Sequence, residues 1–258
     1  MKENFQNLYK YRYLLFDLVK KDLKVKYRRS VLGFGWSILN PLLMMIVITA
    51  VFQNVFKSNI ENFPIYYLTG YLFFSFLTDA TNMSMKSITG SAALIKKVYI
   101  PKYIFPLEKC IFSFINMLLS FVATIIVMLI LRVPITGSFF LFLIPMLYIF
   151  VFTVGLSLFL ASATVFFRDI EHLYGVFTTA WMYLTPIFYP MEMLPDFMVK
   201  VMSFNPLYHY ILYFRALVMG NHIPDLRSNL VCIGFSVLML IFGAIFFKKS
   251  QDKFILYI

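Results

Sequence analysis

Negative charge is what this 258-residue chain has least of: Asp and Glu number 12 against 23 Lys and Arg, and charged residues of either sign make up only 14%. Soluble domains carry about 25% charged residues, so composition alone sets this chain apart from them. Cysteine is almost missing too. Cys110 and Cys232 both lie in apolar runs with no C-x-x-C spacing. A disulfide framework or a thiolate metal site is therefore not expected, and both read as small buried hydrophobes. His209 and His222 stand 13 residues apart without ligand spacing and read as interfacial side chains. The sequence has no G-x-x-x-x-G-K-[ST] loop, no dinucleotide fingerprint and no HExxH. No Ser–His–Asp set can be placed. The chain is thus expected to have no catalytic site, no cofactor and no metal of its own. It also shows no cleavable signal peptide, linker, repeat or low-complexity segment.

What is there is apolar. Hydrophobic residues make up 61%, gathered in uncharged runs at 30–56, 62–78, 110–131, 133–167, 173–191 and 228–247. About 20 residues cross a bilayer as a helix. Pro134, Thr136 and Gly137 read as a turn, so the fourth span starts near 138. The expectation is an all-α polytopic membrane protein, one domain over 1–258, with six transmembrane helices at about 34–56, 64–85, 108–131, 138–165, 172–188 and 228–247. Backbone groups in lipid need internal partners, and nothing alternates like a barrel strand. With the N-terminus inside, 18 Lys and Arg fall on the cytoplasmic side and 5 outside. That asymmetry places both termini in the cytoplasm. It also assigns the net charge of +11 to lipid headgroups or a cytoplasmic partner, not to nucleic acid.

The stretch KVKYRRSVLGFGWSILNPLLMM, residues 24–45, joins a basic segment to an apolar one. Residues 8–30 read as an amphipathic interfacial helix. Leu8, Tyr11, Leu15, Leu18 and Val19 share one face, and Lys10, Asp17, Lys21, Lys24 and Arg28 the other. The apolar face is expected at the headgroup boundary. Gly33 and Gly35 permit the bend into the bilayer, Trp36 sits at interface depth, and Pro41 lies in the first span. A plain membrane anchor explains the helix. An elbow that also touches a cytoplasmic subunit explains the junction.

Further along, Asp79 lies in the second span beside Thr78, Thr81 and Asn82. It reads as a residue at a wetted mouth or one bonded to a neighbouring helix, with a proton relay as the rival, since acids in spans are costly. The cytoplasmic segment 87–106 reads either as an ordinary positive-inside loop or as a short helix parallel to the membrane that a partner could push: Ile95, Val98 and Tyr99 could pack under the bundle while Lys96, Lys97 and Lys102 face water. Pro101 and Pro106 end its helix. Gly155, Ser157, Ala161, Ser162 and Ala163 suggest close helix packing in the fourth span. In FFRDIEH, 166–172, an Arg168–carboxylate cluster with Asp169 and Glu171 would fix a tight corner. The proline-rich segment 189–227 is too polar to span twice, and within it 205–220 reads as a re-entrant helix that dips into the outer leaflet and returns. Aromatics make up 19%. Tyr66, Tyr67, Tyr71, Phe73, Phe74, Phe76, Trp181 and Tyr183 read either as lipid-facing bulk or as the lining of a path for a sugar chain. Without a phosphate loop or paired buried acids, uphill movement would need a borrowed motor.

Four motifs then line up. KVKYRRSVLGFGWSILNPL, LIKKVYIPKYIFPL, VFFRDIEH and TPIFYPMEMLP with NPLYHYILYFR, in this order, resemble the membrane subunits of ABC exporters of cell-surface polysaccharides, the exporters of O-antigens, capsules and teichoic acids. The resemblance covers nearly the whole chain. It implies a homodimer with two copies of a separate ATPase that binds ATP and Mg, in a bacterial cytoplasmic membrane. The implied substrate is a polyprenyl-linked polysaccharide. By resemblance, Arg28, Arg29, Ile95, Lys96, Lys97, Arg168, Asp169 and Glu171 would serve ATPase coupling. Tyr27, Arg28, Phe34, Trp36, Tyr66, Tyr67, Tyr71, Phe74, Trp181 and Tyr183 would serve substrate intake and channel, with Arg28 or Lys97 receiving the phosphate. Phe188, Tyr189, Tyr208, His209 and Arg215 would form the outer gate. The alternatives are an ABC exporter of a drug or lipid, an ion-coupled flippase of lipid-linked glycan, and a membrane enzyme acting on lipid-linked sugar.

Overall fold

The computed structural model describes residues 9–28, 30–54 and 60–257. The sequence expectations for residues 1–8, Arg29 and most of the first outer loop lie outside them. The described residues are helical with no strand. In chain order the helices are α1 (Arg12–Lys26), α2 (Trp36–Asn54), α3 (Phe63–Met85), α4 (Ser87–Gly90), α5 (Ala92–Lys97), α6 (Ile104–Ile130), α7 (Leu143–Phe166), α8 (Ile170–Leu184), α9 (Asp196–Met202), α10 (Pro206–Val218) and α11 (Leu226–Ser250).

Among the described residues four segments are long and apolar enough to cross a membrane: Gly33–Gln53, Ile104–Ile130, Gly137–Phe166 and Leu226–Leu256. Two helices expected among six spans fall short of that measure. In α3, Asp79, Asn82 and a series of hydroxyls dilute the apolar residues, and α8 has only 15 residues.

The bundle is built around α3, which packs on α2, α6, α7, α8 and α10. Its Phe73 and Leu77 meet Met117 and Phe121 of α6, Met146 and Ile149 of α7, and Tyr210 and Phe214 of α10 in one core. The tightest crossing is α7 on α11. A Cβ on Gly155 would overlap the Met239–Leu240 backbone, and one on Gly243 would overlap the Gly155 backbone. Close backbone approach through small residues is how membrane helices gain dispersion contact. The small stripe on α7 marks this crossing in the sequence, whereas Gly243 stands among large residues.

A second cluster gathers at the end of the bundle that carries α4 and α5. Leu15 of α1, Ile88, Ile95, Ile100, Ile104, Phe105, Phe247 and Phe254 pack together, with Tyr11, Leu14 and Leu18 against them. This corrects the expectation for α1. Leu15 and Val19 are covered by protein, not left for lipid. The helical period identifies an apolar stripe but does not say which apolar surface covers it. Between α1 and α2 the chain turns at Gly33, whose φ of +50° suits glycine, with Ser30 Oγ accepting from the Gly33 N–H at 3.2 Å. Pro106 lies in the first turn of α6 rather than ending a helix, a position that tolerates a missing N–H.

Candidate functional site

One face of α3 is polar along its length. Tyr71, Ser75, Asp79, Asn82 and Lys86 recur at helical spacing, and the last three are exposed in the single chain. Ser75 and Thr78 donate to carbonyls of their own helix, so these hydroxyls cost nothing in lipid. On one side of this stripe stands α2, whose Trp36 and Asn40 line a cavity with Asp79. On the other stands α8: Lys86 pairs with Glu171 at 3.5 Å, and Tyr174 donates to Thr81 Oγ1 at 2.9 Å. The result is an open groove with a polar floor.

The groove is closed at the end far from α4 and α5 by stacked rings. Phe52 stacks on Phe63 and Phe188, with centroids 5.6 and 5.7 Å apart. Tyr67 stacks on Phe188 at 5.7 Å and on Tyr71 at 5.4 Å. Such ring pairs are worth about 0.5–1.5 kcal/mol each beyond the apolar area they bury. Phe188 sits in the turn between α8 and α9, and two residues hold that turn. Tyr66 donates its hydroxyl to the carbonyls of Pro186 and Tyr189 at 3.2 and 2.8 Å. Arg215 of α10 donates to Pro186 O and Tyr66 O, both at 2.9 Å, and to Thr69 Oγ1 at 3.3 Å. Its guanidinium lies 3.4 Å from the Tyr66 ring centroid. Among the described residues no carboxylate pairs with it, so carbonyl dipoles and a ring face carry its charge. Asn205 adds a second brace: it accepts from Trp181 Nε1 at 3.0 Å, donates to Thr185 Oγ1 at 3.0 Å, and caps α10 through the Leu207 N–H.

At the opposite end the elbow is tied down by Asn116 of α6. Its Oδ1 accepts from Lys26 Nζ at 3.1 Å and from Tyr27 OH at 2.7 Å, and Tyr27 OH also bonds Ser37 Oγ. Nearby, Lys109 bridges Asp22 of α1 and Glu108, the latter at 3.0 Å. Lys102 donates to Gln251 O at 2.6 Å. Burial holds Lys102 below the ordinary lysine range, against a smaller opposing pull from Asp252.

The residues singled out in the sequence fall in three places. Trp36 and Tyr71 line the inner groove, and Tyr27, bonded to Ser37 and Asn116 beside it, is tilted against Phe34 with ring centroids 4.4 Å apart. Tyr66, Tyr67, Phe188, Tyr189 and Arg215 meet at the aromatic closure, Tyr183 stands exposed beside it, and Tyr208 and His209 lie along α10. His209 Nε2 is 2.8 Å from Ser203 O. Among the described residues no group of His, Cys, Asp and Glu could hold a metal. Phe74 is buried in the core and does not face the groove, because it sits on the flank of α3, about 100° round the helix from the stripe. Ile95 is buried while Lys96 and Lys97 are exposed, and Arg28, Arg168 and Asp169 are exposed. Among the described residues Arg168 pairs with no carboxylate, so the expected cluster is not seen there. Backbone bonds from the N–H groups of Ile170, Glu171 and His172 close the corner, and Glu171 turns to Lys86. Sequence reasoning missed Lys26, Ser37, Asn116, Thr69 and Asn205. A lone Asn in the run FSFINMLLSF was the available signal for Asn116.

Residues 13–219 match the model of the ABC-2 type transporter family. The chain belongs to that family. It is 31% identical to an O-antigen export system permease protein, RfbA, of Klebsiella pneumoniae, over 93% of this chain and 94% of the relative. It is 29% identical to the RfbA protein of Myxococcus xanthus over 96% of both chains. It is 22% identical to the capsule polysaccharide export inner-membrane protein CtrC of Neisseria meningitidis serogroup B, over 92% of this chain and 91% of that protein. With its apolar helices, the family member described here is a multi-pass membrane protein.

Proposed function

We propose that this chain is the permease subunit of an ATP-driven exporter that moves a lipid-linked polysaccharide across the bacterial cytoplasmic membrane. It works as a homodimer with a separate ATPase, which binds ATP and Mg. Six spans cross the bilayer, with α3 and α8 as the two less apolar ones. An interior helix walled by protein needs less apolar surface than a lipid-facing one. Both termini face the cytoplasm. Two copies bring their α3 grooves face to face and enclose a path, with the rings at Phe188 and Tyr67 as the outer gate and α5 and the Arg168 corner against the ATPase. Arg28 or Lys97 receives the lipid phosphate.

The observation that carries this reading is the groove itself: a polar floor that ends in stacked aromatic rings suits a chain rich in hydroxyls and apolar sugar faces. The names of the RfbA and CtrC relatives support the substrate class. A drug or lipid exporter would share the fold but has no use for so long a hydroxylated stripe.

The test is to delete the gene in its host and to purify the tagged chain from native membranes in mild detergent. Loss of surface polysaccharide and a stoichiometric partner with a phosphate-binding loop are the expected results. A host with unchanged polysaccharide, or a chain that purifies without such a partner, would contradict the reading.

A further inference from the structure

Asp79 is the anomaly of the groove. It is a carboxylate on a helix inside a membrane bundle, a placement that costs free energy unless something compensates. Among the described residues it has neither a hydrogen-bond nor a salt-bridge partner. It faces a cavity of about 180 Å³ between α2, α3 and α6. A second hollow of about 370 Å³ shares Lys26, Asp79, Ser113 and Asn116 with the first and continues to Asp22. The two form one trough at the inner end of the groove.

The lining has two kinds of surface. Asn40, Ser75, Ser113 and Ser120 present amide and hydroxyl groups, while Trp36 and Tyr71 present rings. A pyranose ring has the matching pair: a rim of hydroxyls and an apolar C–H face. An ionised carboxylate accepts hydrogen bonds only and can take two adjacent hydroxyls at once. A phosphate fits poorly. Asp79 faces the trough with no ion-pair partner among the described residues, and Asp22 beside it is paired with Lys109, so an anion there would meet a carboxylate and the single ammonium of Lys26, not a cluster of cations.

We propose that this trough is a binding subsite for an uncharged sugar unit of the passing glycan, with Asp79 as its main hydrogen-bond acceptor and Trp36 as its stacking platform. The proposal rests on the exporter reading above.

Trp36 provides the readout, because the chain has 2 tryptophans and Trp181→Phe leaves Trp36 as the sole one. The full chain, purified in that background without its ATPase so that Trp36 is the one indole present, is titrated with oligosaccharide freed of lipid and phosphate by mild acid from the host's lipid-linked glycan. A parallel titration uses inorganic pyrophosphate. The expected result is a saturable change in Trp36 fluorescence with oligosaccharide alone. Asp79→Ala should weaken it about tenfold or more, the loss of a charged acceptor. Asp79→Asn, which keeps one acceptor, should weaken it less. Asn40→Ala, on the facing helix, should weaken it by about threefold and covers the case in which Asp79→Ala fails to assemble. A response to pyrophosphate alone, no response to either probe, or an unchanged response in Asp79→Ala and Asn40→Ala would overturn the subsite. Asp79→Asn that binds like the parent but blocks export would assign Asp79 to proton transfer instead. If a host without this chain still exports its polysaccharide, the exporter reading fails. If export stops there while Trp36 stays silent, the subsite alone fails.

Discussion

Replacing Arg215 by Leu tests the outer closure most sharply. The guanidinium makes three hydrogen bonds, but the groups it leaves behind are not stranded. Pro186 O keeps the Tyr66 hydroxyl at 3.2 Å, and Tyr66 O keeps Thr69 Oγ1 at 2.9 Å. Removing the charge also removes the cost of holding it out of water, several kcal/mol for a buried ion. Overall stability should therefore change little, by about 2 kcal/mol or less. The turn at 185–189 is a different matter. It loses the charge-assisted bond to Pro186 O, worth about 1.5–3 kcal/mol, so its open population should rise about ten- to a hundredfold. Thr185 is fully buried in the closed turn, and Thr185→Cys makes opening measurable as labelling by a maleimide in detergent-solubilised protein. Cys110 and Cys232 are buried and give little background. The expected result is normal yield and melting temperature with labelling at least tenfold faster than in the Arg215 parent. Unchanged labelling at normal yield would refute the latch. Collapse of yield would refute the claim that the partners of Arg215 remain satisfied.

Other outcomes follow from the packing. Gly155→Ala or Gly243→Ala should destabilise the purified protein by about 1–3 kcal/mol through overpacking; Gly175→Ala, where a Cβ meets nothing within 4 Å, should not lower the melting temperature. Asn116→Leu strips Lys26 and Tyr27 of a shared acceptor, so export should fall severalfold while yield of the complex holds; equal export would mean the elbow needs no tie to α6. Phe254→Ala removes a fully buried ring from the α1–α5 cluster, which should cost about 3–5 kcal/mol and lower the ATPase activity that the permease supports.

The sequence made the helices legible because charge marks their ends and small residues mark one crossing. Ser30 and Gly33 made the elbow legible for the same local reason. What the sequence hid depends on choice of partner. The apolar stripe of α1 could sink into lipid as readily as onto Ile104 and Phe105, and nothing in a helical period separates these. Lys109, in the first turns of α6, bridges its neighbour Glu108 and Asp22 of α1, a pairing between distant segments that no local pattern marks. Arg168 had two acids beside it in sequence, and the corner geometry sent Glu171 to Lys86 instead. The aromatic closure was half visible. Tyr66, Tyr67, Phe188 and Arg215 stood out individually, but their meeting place at one end of the α3 stripe is a property of the fold.

ATP-dependent movement of the glycan is the claim on which all of this turns. The direct measurement reconstitutes the chain with its ATPase partner in liposomes, adds the host's lipid-linked polysaccharide, and follows how fast the glycan becomes protected inside. Uptake that requires ATP and both subunits is the expected result. Uptake by this chain alone without ATP, or none when both subunits hydrolyse ATP, would contradict it.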